Sequence, residues 1–177
     1  MMLVLARSPR VACPGGTALI DNRESPAMPM IQLTVPAGAL TPTGRDSVRQ
    51  ELAEALLRWE GAPNTAFFRA QAWIYLHELP PGCQVTAEDD APRFRVDITV
   101  PAGALSERRK AGLVGEATSI VLAAAGLTEA DAPRVWVLIH EQPDGTWGAG
   151  GSIVRLADLV AIAQRERQAA EPEQPTT

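Results

Sequence analysis

Thr34-Val35-Pro36-Ala37-Gly38-Ala39-Leu40 returns letter for letter as Thr99-Val100-Pro101-Ala102-Gly103-Ala104-Leu105, 65 residues further on. Gly61 returns as Gly126 at the same spacing. Trp73, His77, Glu78, Pro80 and Gly82 return as Trp136, His140, Glu141, Pro143 and Gly145 at a spacing of 63. A repeat of this length with one small length change implies a duplicated supersecondary module. Two copies are too few for a solenoid, so the halves are expected to pack together as one pseudo-symmetric domain.

Each copy reads strand, helix, strand. In the first, Ile31, Leu33 and Val35 alternate with Met30, Gln32 and Thr34, the period of two of a half-buried strand. Thr41 offers an N-cap oxygen, and Pro42 sits at the first helical position, where a missing N–H costs nothing. Val48, Leu52, Leu56 and Trp59 share one helical face, and Gly61 is placed to stop the helix. Phe67 to Leu76 reads as a long second strand. The second copy repeats the plan. Val96, Ile98 and Val100 form a strand, Ser106 caps a helix that buries Leu113, Ala117, Ile120 and Ala124, and Val135 to His140 is the closing strand. An Asp144-Gly145 turn, Trp147-Gly148-Ala149-Gly150-Gly151 and a helix from about Val154 to Gln168 follow. Strands joined through a helix within one sheet are parallel, with a right-handed crossover. The expected fold is therefore α/β: two tandem βαβ units, 29–91 and 92–168, forming a four-stranded sheet with the helices on one face. The other face reads as apolar, which calls for another subunit to cover it. Residues 1–27, with Pro9, Pro14, Gly15, Gly16 and Pro26, show no periodicity and read as an unstructured or non-native extension. The tail 169–177 reads as disordered.

Composition narrows the function. The 177 residues are 46% hydrophobic and 21% charged, as in a soluble globular domain. The net charge of −5, with Lys110 the only lysine, disfavours nucleic acid and anionic membranes as partners. No apolar run reaches the length of a membrane span, and Met1 to Ala6 is too short for a secretory core. Cys13 and Cys83 match no metal spacing and are too few for a disulfide framework, so a reducing, cytoplasmic setting is expected.

Met28-Pro29 ahead of the first strand, the duplicated βαβ unit, and Val135-Trp136-Val137-Leu138-Ile139-His140-Glu141 followed by Trp-Gly-x-Gly-Gly together resemble the tautomerase superfamily, the group around 4-oxalocrotonate tautomerase and macrophage migration inhibitory factor. The resemblance spans roughly Pro29 to Gln168 and points to the fused, two-unit members, which form trimers. It implies that Pro29, as the mature N-terminus left by removal of Met28, is the catalytic group. An α-amino group titrates near 8, and apolar surroundings lower it further, so it is a competent general base beside a carbonyl. No metal or organic cofactor is required. As an internal residue, by contrast, Pro29 has a tertiary amide nitrogen without basicity.

The family's carboxylate-binding arginines fall on Leu40 and Leu105 after the first strands and on Trp73 and Trp136 on the second strands. The dehalogenase members' tyrosine falls on Leu138, which argues against a close match to the haloacrylate dehalogenases. Arg134, two positions before Trp136, and Arg95, at the head of the second unit, are the candidate replacements for binding a small carboxylate substrate. Trp147 takes the family's active-site aromatic place. Simpler readings stand beside each: a strand-leading proline, solvated arginines and a hairpin aromatic at a subunit contact. Trp73 and Trp136 read as core or interface packing, His77 and His140 as strand-end structure, and Arg108, Arg109 and Lys110 as a solvated helix start. The expected activity is proton transfer in a small enolisable keto acid by a tautomerase. A decarboxylase or hydratase using the same proline, and a non-catalytic homotrimer, are the alternatives.

Overall fold

A computed structural model describes residues 29–170. The extension 1–27, Met28 and the tail beyond Ala170 lie outside the described residues. Strand β1 (Met30–Pro36) leads to helix α1 (Pro42–Glu60), a short helix α2 (Ala66–Gln71) and strand β2 (Trp73–Leu79). The second unit runs β3 (Phe94–Pro101), α3 (Glu107–Ala125), a 3-10 helix (Glu129–Arg134) and β4 (Val135–Gln142). A small hairpin, β5 (Trp147–Ala149) and β6 (Ser152–Val154), precedes the last helix, α4 (Leu156–Ala170).

The sheet order is β2-β1-β3-β4, with β1/β2 and β3/β4 parallel and β1/β3 antiparallel. The central register sets Gln32 opposite Asp97. These are the positions that the 65-residue spacing equates, so a pseudo-twofold axis passes between them. The duplication read from the sequence is thus a symmetry of the sheet.

The same local chemistry builds both halves. Thr41 Oγ accepts from Gly44 N at 3.0 Å, and Ser106 Oγ accepts from Arg109 N at 3.4 Å. Gly61 and Gly126 end α1 and α3 at φ 73° and 66°, a left-handed conformation that glycine takes without strain. Arg45 pairs with Glu78 in the first unit, and Lys110 pairs with Glu141 at 2.9 Å in the second. Each tie holds the first turn of a helix to the end of its second strand. This explains the repeated glutamate after each histidine, and it makes Lys110 a helix-to-strand anchor rather than a free surface cation.

The core lies between the sheet and the antiparallel helices. Ile31, Leu33 and Val35 meet Val96, Ile98 and Val100, and Val48, Leu52, Leu56, Leu113, Ala117 and Val121 close over them, all with no exposure. Where α1 begins, it packs on the end of α3 so closely that a Cβ on Gly44 would sit 2.1 Å from the Ala124 oxygen.

Two expectations need correction. Phe67 to Leu76 is not one strand: residues 66–71 are helical and β2 starts at Trp73. Thr65 caps α2 and the turn drives Phe68 inward against Leu57 and Ile162, a burial that an extended chain would not achieve. The open face of the sheet is not uniformly apolar either. Exposed Trp73, Tyr75, Trp136 and Leu138 alternate there with Gln32, Thr34, His77, Arg95, Asp97 and His140. Trp136 is 68% and Trp73 46% exposed, so neither is a core residue of the single chain.

Candidate functional site

The pseudo-twofold places two cavities at opposite ends of the sheet, each at the head of one unit's first strand. The first, of about 710 Å³, lies at the head of β1 and is lined by Met30, Gln71, Trp73, Thr99, Gln142 and the turn Thr146–Gly150. Pro29 is buried beside it, and its carbonyl accepts from Trp73 N at 3.1 Å. Trp147 reaches the cavity because Thr146 N closes a turn on Pro143 O at 3.1 Å, which starts the β5–β6 hairpin back across this end. Among the described residues that line it, none is charged.

The second cavity, of about 330 Å³, lies at the head of β3. Its lining includes Thr34, Leu79, Val85, Arg93, Phe94, Arg95, Pro133, Arg134 and Trp136. Most of these match the first cavity position for position: Arg95 stands where Met30 does, Arg134 where Gln71 does, Trp136 where Trp73 does, Thr34 where Thr99 does and Leu79 where Gln142 does. Phe94 takes the place of Pro29.

Within one chain, then, Pro29 adjoins Met30 at the cavity that Trp147 lines, and Arg95 and Arg134 line the other cavity, so the two pairs do not meet. From Phe94 to Thr99, strand β3 alone separates the ends by about 16 Å, at some 3.3 Å per residue. Arg134 closes the 3-10 helix rather than lying on β4; its Nε donates to Pro92 O at 3.0 Å and its Nη1 to Asp131 at 2.8 Å.

Arg95 also belongs to a polar chain on the open face. Its Nε donates to Asp97 at 2.6 Å, and His140 Nε2 lies 2.9 Å from the other carboxylate oxygen. Burial alone would raise the Asp97 pKa. The hydrogen bonds from His140 and Arg95 together outweigh burial and hold the carboxyl below its ordinary value. The first unit has Gln32 and His77 in these places, and His77 stacks on Tyr75 with ring centroids 6.3 Å apart. His140 thus has a structural partner.

Sequence reasoning missed Gln71, Gln142, Thr99 and Thr146 at the proline end. The repeat held a signal for the first two, because Gln71 and Gln142 equate with Arg134 and Leu79. A third cavity, of about 280 Å³, lies beneath α4 between Phe68, Leu159, Arg109 and Glu60. Glu60 is half-buried as a residue, and burial pushes its carboxyl up to about 8. Among the described residues, no group of His, Cys, Asp and Glu could hold a metal ion, and no helix is long and apolar enough to cross a membrane.

The fold defined here is a pair of βαβ units about a pseudo-twofold, with a cavity at the head of the first strand. The family model "Tautomerase enzyme" matches residues 95–157. Among solved structures, a symmetric trimer of fused 4-OT is 20% identical, with a TM-score of 0.59, covering 76% of this chain and 98% of that one. N1, a member of the cis-3-chloroacrylic acid dehalogenase family, is 20% identical, with a TM-score of 0.61, covering 81% of this chain and 93% of that one. Pt0534, solved after inactivation by 2-oxo-3-pentynoate, is 19% identical, with a TM-score of 0.61, covering 75% and 98%. No curated protein matches the chain. The match to the tautomerase family model lies in the second unit, and the fold shared with these solved structures spans both.

Proposed function

We propose that this chain is a cofactor-independent tautomerase in which the proline-end cavity holds a small enolisable keto acid and Pro29, as the N-terminal residue, moves the proton. The observation that carries this reading is the position of Pro29 at the head of β1, buried beside the uncharged cavity that Trp73 and Trp147 line. Among the described residues lining the cavity there is no carboxylate to stabilise the ammonium form of a secondary amine here, and withdrawal from water lowers its pKa toward neutrality. It then accepts the proton α to the carbonyl and returns it along the conjugated system. With no arginine among the described residues of the lining, the amides of Gln71 and Gln142 and the hydroxyl of Thr99 are the groups that can donate to the substrate's oxygens, since Thr146 already donates its hydroxyl to Pro143 O at 2.7 Å. Decarboxylation or hydration at the same amine would use the same cavity.

A trimer is part of this proposal. The fused 4-OT structure is a symmetric trimer, and the exposed Trp73, Tyr75 and Leu138 give the open face of this sheet an apolar share worth covering. Light scattering at micromolar concentration should give three times the chain mass; a stable monomer would refute the assembly.

Treatment with 2-oxo-3-pentynoate tests the amine. A chain beginning at Pro29 should gain the mass of one reagent molecule on its N-terminal peptide and lose activity in parallel. The chain with Pro29 internal should gain none there. Equal labelling and equal inactivation of both would reject the proline mechanism, and a Pro29 chain that folds but has no activity would favour a non-catalytic trimeric protein.

A further inference from the structure

We infer that the cavity at the head of β3 is a second, non-catalytic binding site, and that it takes a small carboxylate with a flat apolar body. Every charged residue in its lining is an arginine: Arg93, Arg95 and Arg134. Their carboxylate partners, Asp89, Asp97 and Asp131, are not in the lining. Each of these pairs therefore fixes a guanidinium without filling the cavity. Arg95 is held through Nε and Arg134 through Nε and Nη1. The two η nitrogens of Arg95 and Nη2 of Arg134 are outside those bonds. Planar donors oriented in this way suit a carboxylate, which a guanidinium binds with short, charge-assisted hydrogen bonds.

The rest of the wall sets the ligand's body. Leu79, Val85, Phe94, Pro133 and Trp136 are apolar, beside the uncharged polar Thr34, Gln84 and Thr86, and Trp136 is 68% exposed, so it has a free ring surface to cover. About 330 Å³ admits a single aromatic ring with a short acid arm. Chemistry of the proline type is excluded by the residue in its place: Phe94 has an ordinary amide nitrogen inside the chain. The comparison with the proline end makes the arginines a distinguishing feature, since the duplicated positions there are Met30 and Gln71. The site is distinct from the one proposed for catalysis and does not depend on a free Pro29.

Cinnamate, which cannot enolise, is the probe, with cinnamamide as its neutral counterpart. Calorimetric titration of the full chain should show cinnamate binding. Arg95→Met with Arg134→Gln, the residues of the other end, should weaken it at least about tenfold, because the two guanidinium groups supply its charge-assisted hydrogen bonds. Trp147→Ala should leave the affinity unchanged. Circular dichroism and melting temperature establish that the double variant is folded, and Trp136→Ala, with the arginines intact, should also weaken binding. The proposal is overturned by absence of binding at 10 mM (about the weakest range worth calling a site). It is overturned equally by cinnamamide binding as tightly as cinnamate, or by Trp147→Ala alone reducing affinity. Loss of affinity on changing both ends would mean one composite site between copies, and would also reject it. Each reading is independent of turnover, so failure here leaves the proline mechanism standing, and the reverse.

Discussion

The heads of β1 and β3 are the same place in the two halves of a duplication, and they have become chemically unlike. Both carry a threonine, a tryptophan and a cavity in matched positions. One is led by Pro29 and has no charged lining; the other is led by Phe94 and has three arginines. Backbone geometry is fixed by hydrogen-bond register, caps and core packing, all of which the duplication copied. Side chains facing a cavity carry little of that burden and are free to diverge. An uncharged end suits a neutral amine, and a cationic end suits an anion.

The largest effect on this comparison is expected where the two halves grip each other. Gly44 lets the start of α1 sit on Ala124, whereas its counterpart Arg109 reaches the Glu60 carbonyl at 3.2 Å. Gly44→Ala drives a methyl into backbone that cannot yield, and should cost about 3 kcal/mol in denaturant unfolding. Gly115, with open space around it, is the control: Gly115→Ala should be neutral or slightly stabilising.

Asp97 and Gln32 face each other across the pseudo-axis, and only Asp97 holds two partners. Asp97→Asn should cost about 1–3 kcal/mol at pH 7, against about 0.5 kcal/mol for Gln32→Ala. Because the native carboxyl titrates below its ordinary value of 3.8, its contribution is present above that value and is lost as pH falls through the lower native pKa. Acid unfolding profiles should show a shallower limb below pH 4 in Asp97→Asn.

Trp147→Ala should lower kcat/KM about tenfold through loss of an aromatic wall at the proline end. Trp136→Ala should leave turnover of a small aliphatic keto acid unchanged if the ends are independent; a matching loss would join them into one site.

The effect at Glu60 appears only with a change of pH. Its native pKa of about 8 exceeds the unfolded 4.5, so the native state keeps a proton that the unfolded chain releases, and stability falls as pH rises from 4.5 to 8. Glu60→Gln should remove that fall, so that its stability relative to the unchanged chain rises steadily between pH 4.5 and 8, measured by urea titration across pH.

The fold was largely legible because its determinants are local or repeated. Thr41, Pro42 and Gly61 mark α1 by chemistry alone, and the TVPAGAL repeat sets the two units in correspondence. Helix α2 was not legible as such: Ala66–Gln71 is too short for a helical period to show, and its direction is decided by Phe68 finding Leu57 and Ile162. The open sheet face was misread because alternation tells which residues leave the core, not what they meet outside it. In the candidate site, Pro29 and Trp147 were visible from the resemblance, and the structure brings them to one end. Arg95 and Arg134 were visible as residues, but their end of the sheet was not, because that depends on the antiparallel pairing of β1 with β3.

The central claim is that the nitrogen of Pro29 does the chemistry. The direct measurement is the rate of ketonisation of a small 2-hydroxydienoate by two purified chains, one beginning at Met1 and shown intact by mass, the other expressed from Met28 and shown by mass to begin at Pro29. The Pro29 chain should be active, with its rate falling as pH drops through the pKa of the amine, and the intact Met1 chain should be inactive because its Pro29 nitrogen is an amide. Equal rates from both would contradict the proline mechanism.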